Sequence, residues 1–365
     1  MATTATSDRA PDVPLPASSR RITGIDLARA VAMLGMVIVH YAWPSDQGSW
    51  ALNFVAQSST GRAMPLFLVL GGIGISILVA RSPKPDHDLL VRAAILLPMG
   101  LVLQELTTWI AIILQSYALY FVAAVLFRRF SSRALLVAAM VVTGIGGYTY
   151  QVTAGLPRYG YVGDLIDRPV ALVWSLLVNG YYPFLPTVAF LLVGLWLGRL
   201  DLGSRTVAWW LAGGGAAVGF GTYLVAERLI GFFDIPEAAF EPTEPAVFVW
   251  TRLLDPSGHS QMPVWVLSSA ATAVAVLGVS LLVARRVPRA VHPLVMLGQL
   301  ALTFYVFQAI LVNWTPNPET TPIELEFAIV AAIYLGFMAY AVLWRRAFRR
   351  GPLEQFLRLG AAKRP

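Results

Sequence analysis

Arg21-Ile-Thr-Gly-Ile-Asp26-Leu-Ala-Arg29-Ala-Val-Ala-Met33-Leu-Gly-Met36-Val-Ile-Val-His40-Tyr41 decides how the rest of the chain is read. The stretch is long and apolar enough to cross a bilayer as a helix, yet it carries Asp26, Arg29 and His40. Lipid tolerates such groups only where they have partners or a task. On an α-helix Arg29, Met33, Met36 and His40 follow one another at steps of four, three and four. The guanidinium and the imidazole therefore share one face, roughly 16 Å apart along the axis. A cation near one end and an imidazole near the other, joined by an apolar stripe, is a costly arrangement to keep in lipid without a use.

Composition extends this reading to the whole chain. Of 365 residues, 57% are hydrophobic and 13% charged, far from soluble globular usage. Eleven Trp, 18 Phe and 13 Tyr suit aromatic belts at two interfaces. Without cysteine, disulfides and thiol chemistry are excluded and the redox compartment stays open. The net charge of +7 is compatible with nucleic acid as a partner, but the placement of the charges argues against it. All 27 basic residues are Arg except Lys84 and Lys363. The class is all-α, a polytopic integral membrane bundle.

Residues 1–22 lack an apolar signal core and read as a disordered cytoplasmic tail. Ten spans follow, at about 23–42, 62–80, 89–105, 110–127, 134–152, a broken segment within 169–198, then 205–230, 263–284, 291–313 and 323–344. Asn179-Gly-Tyr-Tyr-Pro-Phe-Leu-Pro186 breaks the sixth into a short outer helix and a span. With both termini inside, twenty basic residues fall on inner segments and four on outer ones, as the positive-inside rule demands. The membrane domain is 23–344, and 345–365 is a basic cytoplasmic segment. Arg-rich, Lys-poor, Ala- and Val-heavy usage points to GC-rich codons and hence a bacterial plasma membrane.

This layout assigns depths. Arg29 lies in the inner part of the first span and His40 at its outer end. Arg62, Glu105 and His259 also fall at the outer side, so two histidines, an arginine and a carboxylate have the chance to surround one outward cavity. Each has a plainer reading as well. His40 is otherwise an interfacial residue and Arg29 a snorkelling cation paired with Asp26. Arg62 is otherwise a lipid-phosphate contact, Glu105 a loop acid and His259 a surface turn residue. Gln299, Thr303, Tyr305 and Gln308 in the ninth span either line a cavity or bond across helices, and Tyr117 is a further cavity candidate. Gly71, Gly72, Gly74 and Ser76 read as helix-packing residues, Gly72 and Ser76 being a small-xxx-small pair.

Asp26-Leu-Ala-Arg29 followed after ten residues by His40 resembles the first membrane helix of the transmembrane acyltransferase superfamily. Gly61-Arg-Ala-Met-Pro-Leu-Phe-Leu-Val-Leu-Gly71 is similar to the second-helix motif of the heparan-α-glucosaminide N-acetyltransferase-like and YeiB-like families. Gly180-Tyr-Tyr-Pro183, His259-Ser260 with Pro263, Gly298-Gln-Leu-Ala-Leu-Thr-Phe-Tyr305 and Arg349-Arg-Gly-Pro-Leu-Glu354 resemble their later motifs in the same order. The chain departs from the pattern at Gln299, where Arg is expected, at Phe304, where Asn is usual, at Gln355, where an aromatic is common, and at Ala30, where many relatives have Gly. YeiB-like proteins often carry Asn at the position of His40.

The resemblance implies acetyl or acyl transfer from a cytoplasmic acyl-CoA, typically acetyl-CoA, to a hydroxyl or amine of an envelope glycan, lipid or secreted metabolite. His40, Arg62 and His259 are then the catalytic candidates, Arg29 and Asp26 the donor-binding ones, and Glu105, Tyr117, Gln299, Thr303 and Gln308 the cavity ones. Membrane lipids surround the protein, a homo-oligomer is possible, and neither a metal nor nucleic acid is expected. The rival class is a non-enzymatic transporter or lipid-binding membrane protein, for which ten spans and buried charges would line a path.

Overall fold

The apolar stretches fold as helices, and prolines or glycines mark several of the breaks between them. The computed structural model describes residues 21–107, 109–241 and 246–360. The expected tail thus lies, over residues 1–20, outside the described residues. Among those described there is no β-strand.

Helix α1 (Thr23–Tyr41) has Asp26 in its first turn, where a carboxylate complements the helix dipole. It ends before Trp43-Pro44, because proline disfavours helical backbone in the residue preceding it. A short α2 (Trp50–Ser59) leads to α3 (Ala63–Arg81), followed by α4 (Pro85–Glu105), α5 (Leu114–Phe127) and α6 (Ser132–Val152). The hexapeptide helices α7 (Val162–Asp167) and α8 (Pro169–Trp174) run into a π-turn over Ser175–Asn179. Then come α9 (Phe184–Leu197), α10 (Arg205–Phe232), α11 (Pro263–Arg286), α12 (His292–Gly298), α13 (Ala301–Leu311), α14 (Ile323–Ala347) and α15 (Pro352–Phe356).

Helix α1 is the axis of the assembly, packed against α3, α11, α12 and α14. That contact explains why an apolar helix can hold polar groups: Asp26 is 1% and His40 8% exposed. Helix α3 also meets α9 so closely that a Cβ at Gly72 would lie 2.8 Å from the Gly194 Cα. The helix-packing reading of Gly72 is borne out. Conversely, α6, α10 and α14 turn Met140, Trp210, Phe220 and Leu343 outward, an apolar periphery suited to lipid.

Among the described residues five helices, α1, α3, α6, α11 and α14, are long and apolar enough to cross a bilayer, and counting the bent pairs α8–α9 and α12–α13 as one span each brings the number to seven. That is fewer than the ten expected. Of the remaining three, α5 has 14 residues, about 21 Å against a hydrocarbon core of about 30 Å. Helix α4 carries Asp86, Asp88 and Arg92, and α10 is diluted by glycines and two tryptophans.

The ninth stretch differs most from the sequence reading. It is two helices bent by 78° between Gly298 and Ala301, not one rod over 291–313. The reason is local. Gly298 packs against the Asp26 carbonyl so tightly that no Cβ fits. The amides of Leu302 and Thr303, freed at the start of α13, donate to Glu354 at 2.8 and 3.1 Å. A remote carboxylate thus replaces the carbonyls that α12 would have supplied. At the α8–α9 break the 59° bend follows from the π-turn and from Pro183, which begins a new helix.

Candidate active site

Two cavities flank α1, one near each end. The larger, about 380 Å³, opens where α1 begins. Among the described residues six guanidinium groups line it: Arg29 from α1 and Arg21 two residues before it, Arg92 from α4, and Arg349, Arg350 and Arg358 from the chain's last segment. Its deeper walls are apolar, formed by Phe67, Leu70, Ile75, Leu96, Leu114 and Phe121 with Tyr117. Gly71 and Gly74 also face this cavity, unlike their neighbour Gly72. A Cβ at Gly71 would come within 2.9 Å of Tyr117 Oη, and one at Gly74 within 3.3 Å of Arg29 Nη2. The two glycines leave a floor along α3 that any side chain would fill.

Asp26 sits behind the rim and holds it. Arg21 donates to it at 2.5 and 3.0 Å, Arg29 at 3.0 Å and the Gln299 carboxamide at 3.2 Å. A carboxylate with four donors anchors two of the six guanidiniums in place. Gln299 lines the cavity, and its Oε1 is buried without a hydrogen-bond partner. Glu354, by capping α13, positions the segment that carries Arg349, Arg350 and Arg358. Thr303 completes the joint, donating its hydroxyl to Glu354 at 2.6 Å and accepting from the Leu353 amide at 3.2 Å.

The smaller cavity, about 20 Å³, lies near the other end of α1 between His40 and His259, with Gly61, Met64, Tyr182 and Tyr305 around it. His40 Nδ1 is 2.9 Å from Gln308 Oε1. The Gln308 amide nitrogen donates to the Tyr305 carbonyl at 3.1 Å, which fixes the carboxamide with its oxygen toward the ring. An oxygen only accepts, so Nδ1 carries a proton, and in the neutral ring Nε2 keeps its lone pair. The main-chain carbonyl of Gln308 accepts from the Tyr41 hydroxyl, tying α13 to the end of α1.

His259 comes to this cavity on a turn with left-handed backbone, φ 66°, against Gly61, φ 70°. A Cβ at Gly61 would lie 2.9 Å from the His259 amide, and the Trp265 indole donates to the Gly61 carbonyl at 3.1 Å. The turn is thereby pressed onto the start of α3. Burial, and secondarily the neighbouring His40, push the His259 imidazole down to about 4.

The other candidates lie elsewhere. Arg62 points away from His40, donating to the Ser268 and Ser269 hydroxyls at 2.9 and 2.7 Å on α11. Glu105 is exposed and accepts from the Val162 amide at 2.9 Å, fastening α7. Tyr117 lines the larger cavity and donates to the Phe67 carbonyl at 2.8 Å. The structure therefore groups Arg29, Tyr117 and Gln299 at one cavity, with Asp26 behind it, and His40, His259 and Gln308 at the other. Arg21, Arg92, Arg349, Arg350 and Arg358 were not singled out as site residues. In the sequence the inner arginine clusters are signals of orientation and, as groups, possible helpers of Arg29 in holding donor phosphates, whereas Arg92 reads as a residue within a span.

Residues 21–227 match the family described as heparan-alpha-glucosaminide N-acetyltransferase, catalytic. The chain belongs to that family. Residues 246–364 match a second family, described as a protein of unknown function (DUF418). No curated protein matches the chain. The acetyltransferase segment supplies Arg29, His40 and Tyr117, whereas His259, Gln299, Gln308 and the last arginines come from the other match, so both cavities are built across the two. Apolar helices and family together make this a multi-pass membrane protein of an acetyltransferase family.

Proposed function

We propose that the protein moves an acetyl or other acyl group from a cytoplasmic acyl-CoA to a hydroxyl or amine of an envelope glycan, lipid or secreted metabolite at the outer face of a bacterial plasma membrane. In this reading the seven candidate spans and α4, α5 and α10 make ten crossings with both ends of the chain inside. Residues 23–344 form the membrane domain, and the arginine-rich mouth faces the cytoplasm.

The observation that carries the proposal is the six-arginine mouth near one end of α1 and His40, its Nδ1 bonded to Gln308, near the other. A donor with several phosphates and a narrow, mostly apolar arm suits such a cavity: guanidiniums pair with phosphate oxygens, and the glycine floor admits the arm. His40 Nε2 takes the proton of the acceptor as its oxygen or nitrogen attacks the thioester carbonyl. The carbon–sulfur bond breaks, and the imidazolium returns the proton to the leaving thiolate. A neutral His259, across the small cavity, orients the acceptor. Arg62, bound to two serines on α11, supports the wall behind it.

The test is transfer of label from acetyl-CoA to envelope material by the purified protein in nanodiscs. Wild type should transfer and His40→Ala should not, while both insert equally. Full activity without His40 ends the proposal.

A further inference from the structure

The two cavities share no lining residue. Between them stand three rings. Phe67 lines the larger cavity and Tyr305 the smaller, stacked with centroids 6.3 Å apart and planes at 20°. Tyr117 meets Phe67 edge-on at 5.6 Å. At about 20 Å³ the chamber at His40 has room for about one water and none for a thioester carbonyl with its acyl group. A side chain must therefore move before transfer.

Hydrogen bonding picks out which one. The Tyr305 hydroxyl accepts from the Ile113 amide at 3.1 Å, and the Tyr117 hydroxyl donates to the Phe67 carbonyl at 2.8 Å. Swinging either tyrosine leaves a buried polar group unpaired. The Phe67 side chain has no such bond and is only half-buried, because one side of its ring borders the cavity. One turn further along α3 lies Gly71, so the ring stands at the end of the floor formed by Gly71 and Gly74.

Resting on the donor reading above, we infer that Phe67 is a gate. Its ring closes the donor cavity from His40, turns aside to admit the acyl end, and limits the length of acyl chain that passes. The closed ring keeps water on the His40 side from the waiting thioester, where attack would yield free carboxylate and CoA thiol.

The experiment measures three quantities for wild type, Phe67→Ala, Phe67→Leu and Phe67→Trp in nanodiscs: acetyl-CoA affinity, thioester hydrolysis without acceptor, and transfer from acetyl-CoA against butyryl-CoA. Phe67→Ala should raise hydrolysis and cut the preference for acetyl over butyryl by about tenfold, the worth of one or two methylenes in a shaped pocket. Phe67→Leu should fall between it and wild type. Phe67→Trp should lower kcat by more than it weakens acetyl-CoA binding, since the ring borders the cavity's apolar wall and not the phosphates. Unaltered hydrolysis and chain preference in the alanine and leucine variants, or full kcat in the tryptophan variant, overturns the gate. Failure of wild type to bind acetyl-CoA overturns the donor reading and the gate with it. Wild-type binding with unaltered variants removes the gate alone.

Discussion

With its amide nitrogen committed to the Tyr305 carbonyl, Gln308 offers His40 only an acceptor, and so selects the tautomer in which Nε2 is the base. A buried hydrogen bond of this kind is worth about 1 kcal/mol, so Gln308→Ala should lower kcat by roughly fivefold. Gln308→Glu, which still accepts from Nδ1–H, should retain most of the rate; label transfer at saturating acetyl-CoA reads both. Loss of the base itself is larger, and His40→Ala should cost at least about 100-fold. His259 gives a pH test. Its imidazole is held neutral at a value near 4, below its ordinary 6.5. The unfolded chain therefore takes up a proton first, and this contribution to stability is whole above about pH 6.5 and lost as pH falls toward 4. The melting temperature in detergent should drop across that window, and His259→Phe should flatten this part of the dependence.

At the scale of elements, the bend between α12 and α13 matters most. A straight helix there would satisfy its own amides and leave Glu354 without a role. The 78° break instead exposes the start of α13 to a carboxylate from α15, and that single joint brings three arginines to the cavity mouth. Glu354→Ala should therefore raise the KM for acetyl-CoA by about tenfold with kcat nearly unchanged, a charge-assisted set of bonds being worth roughly 1.5–3 kcal/mol. Glu354→Gln, which still accepts from both amides, should recover part of the loss. Equal falls in kcat and stability would assign Glu354 to folding instead. The bend was not legible because Pro293–Trp314 is largely apolar, interrupted by Gln299, Thr303, Gln308 and Asn313. Nothing in that window shows that a glycine there must clear the Asp26 carbonyl.

For the whole molecule the decisive question is sidedness, and the natural lack of cysteine makes it directly testable. Cysteine placed at exposed Ser131, between α5 and α6, should react with an impermeant maleimide only after the membrane is opened, whereas cysteine at exposed Ser257, before α11, should react in intact cells. The opposite pattern ends the ten-span layout and with it the cytoplasmic donor. The sequence by itself determined the helical membrane class, the run of apolar elements and the placing of Arg29 and His40 on one face of α1. Those are properties of apolar length and of a 3.6-residue period, which neighbouring residues settle among themselves. Only the tertiary structure decided that Arg62 and Glu105 turn away, that Gln308, 268 residues from His40, sets its tautomer, and that arginines from three separate segments share one mouth. A cavity is the space left between helices, so its lining depends on which helices meet and at what rotation, and no window of the chain contains that information.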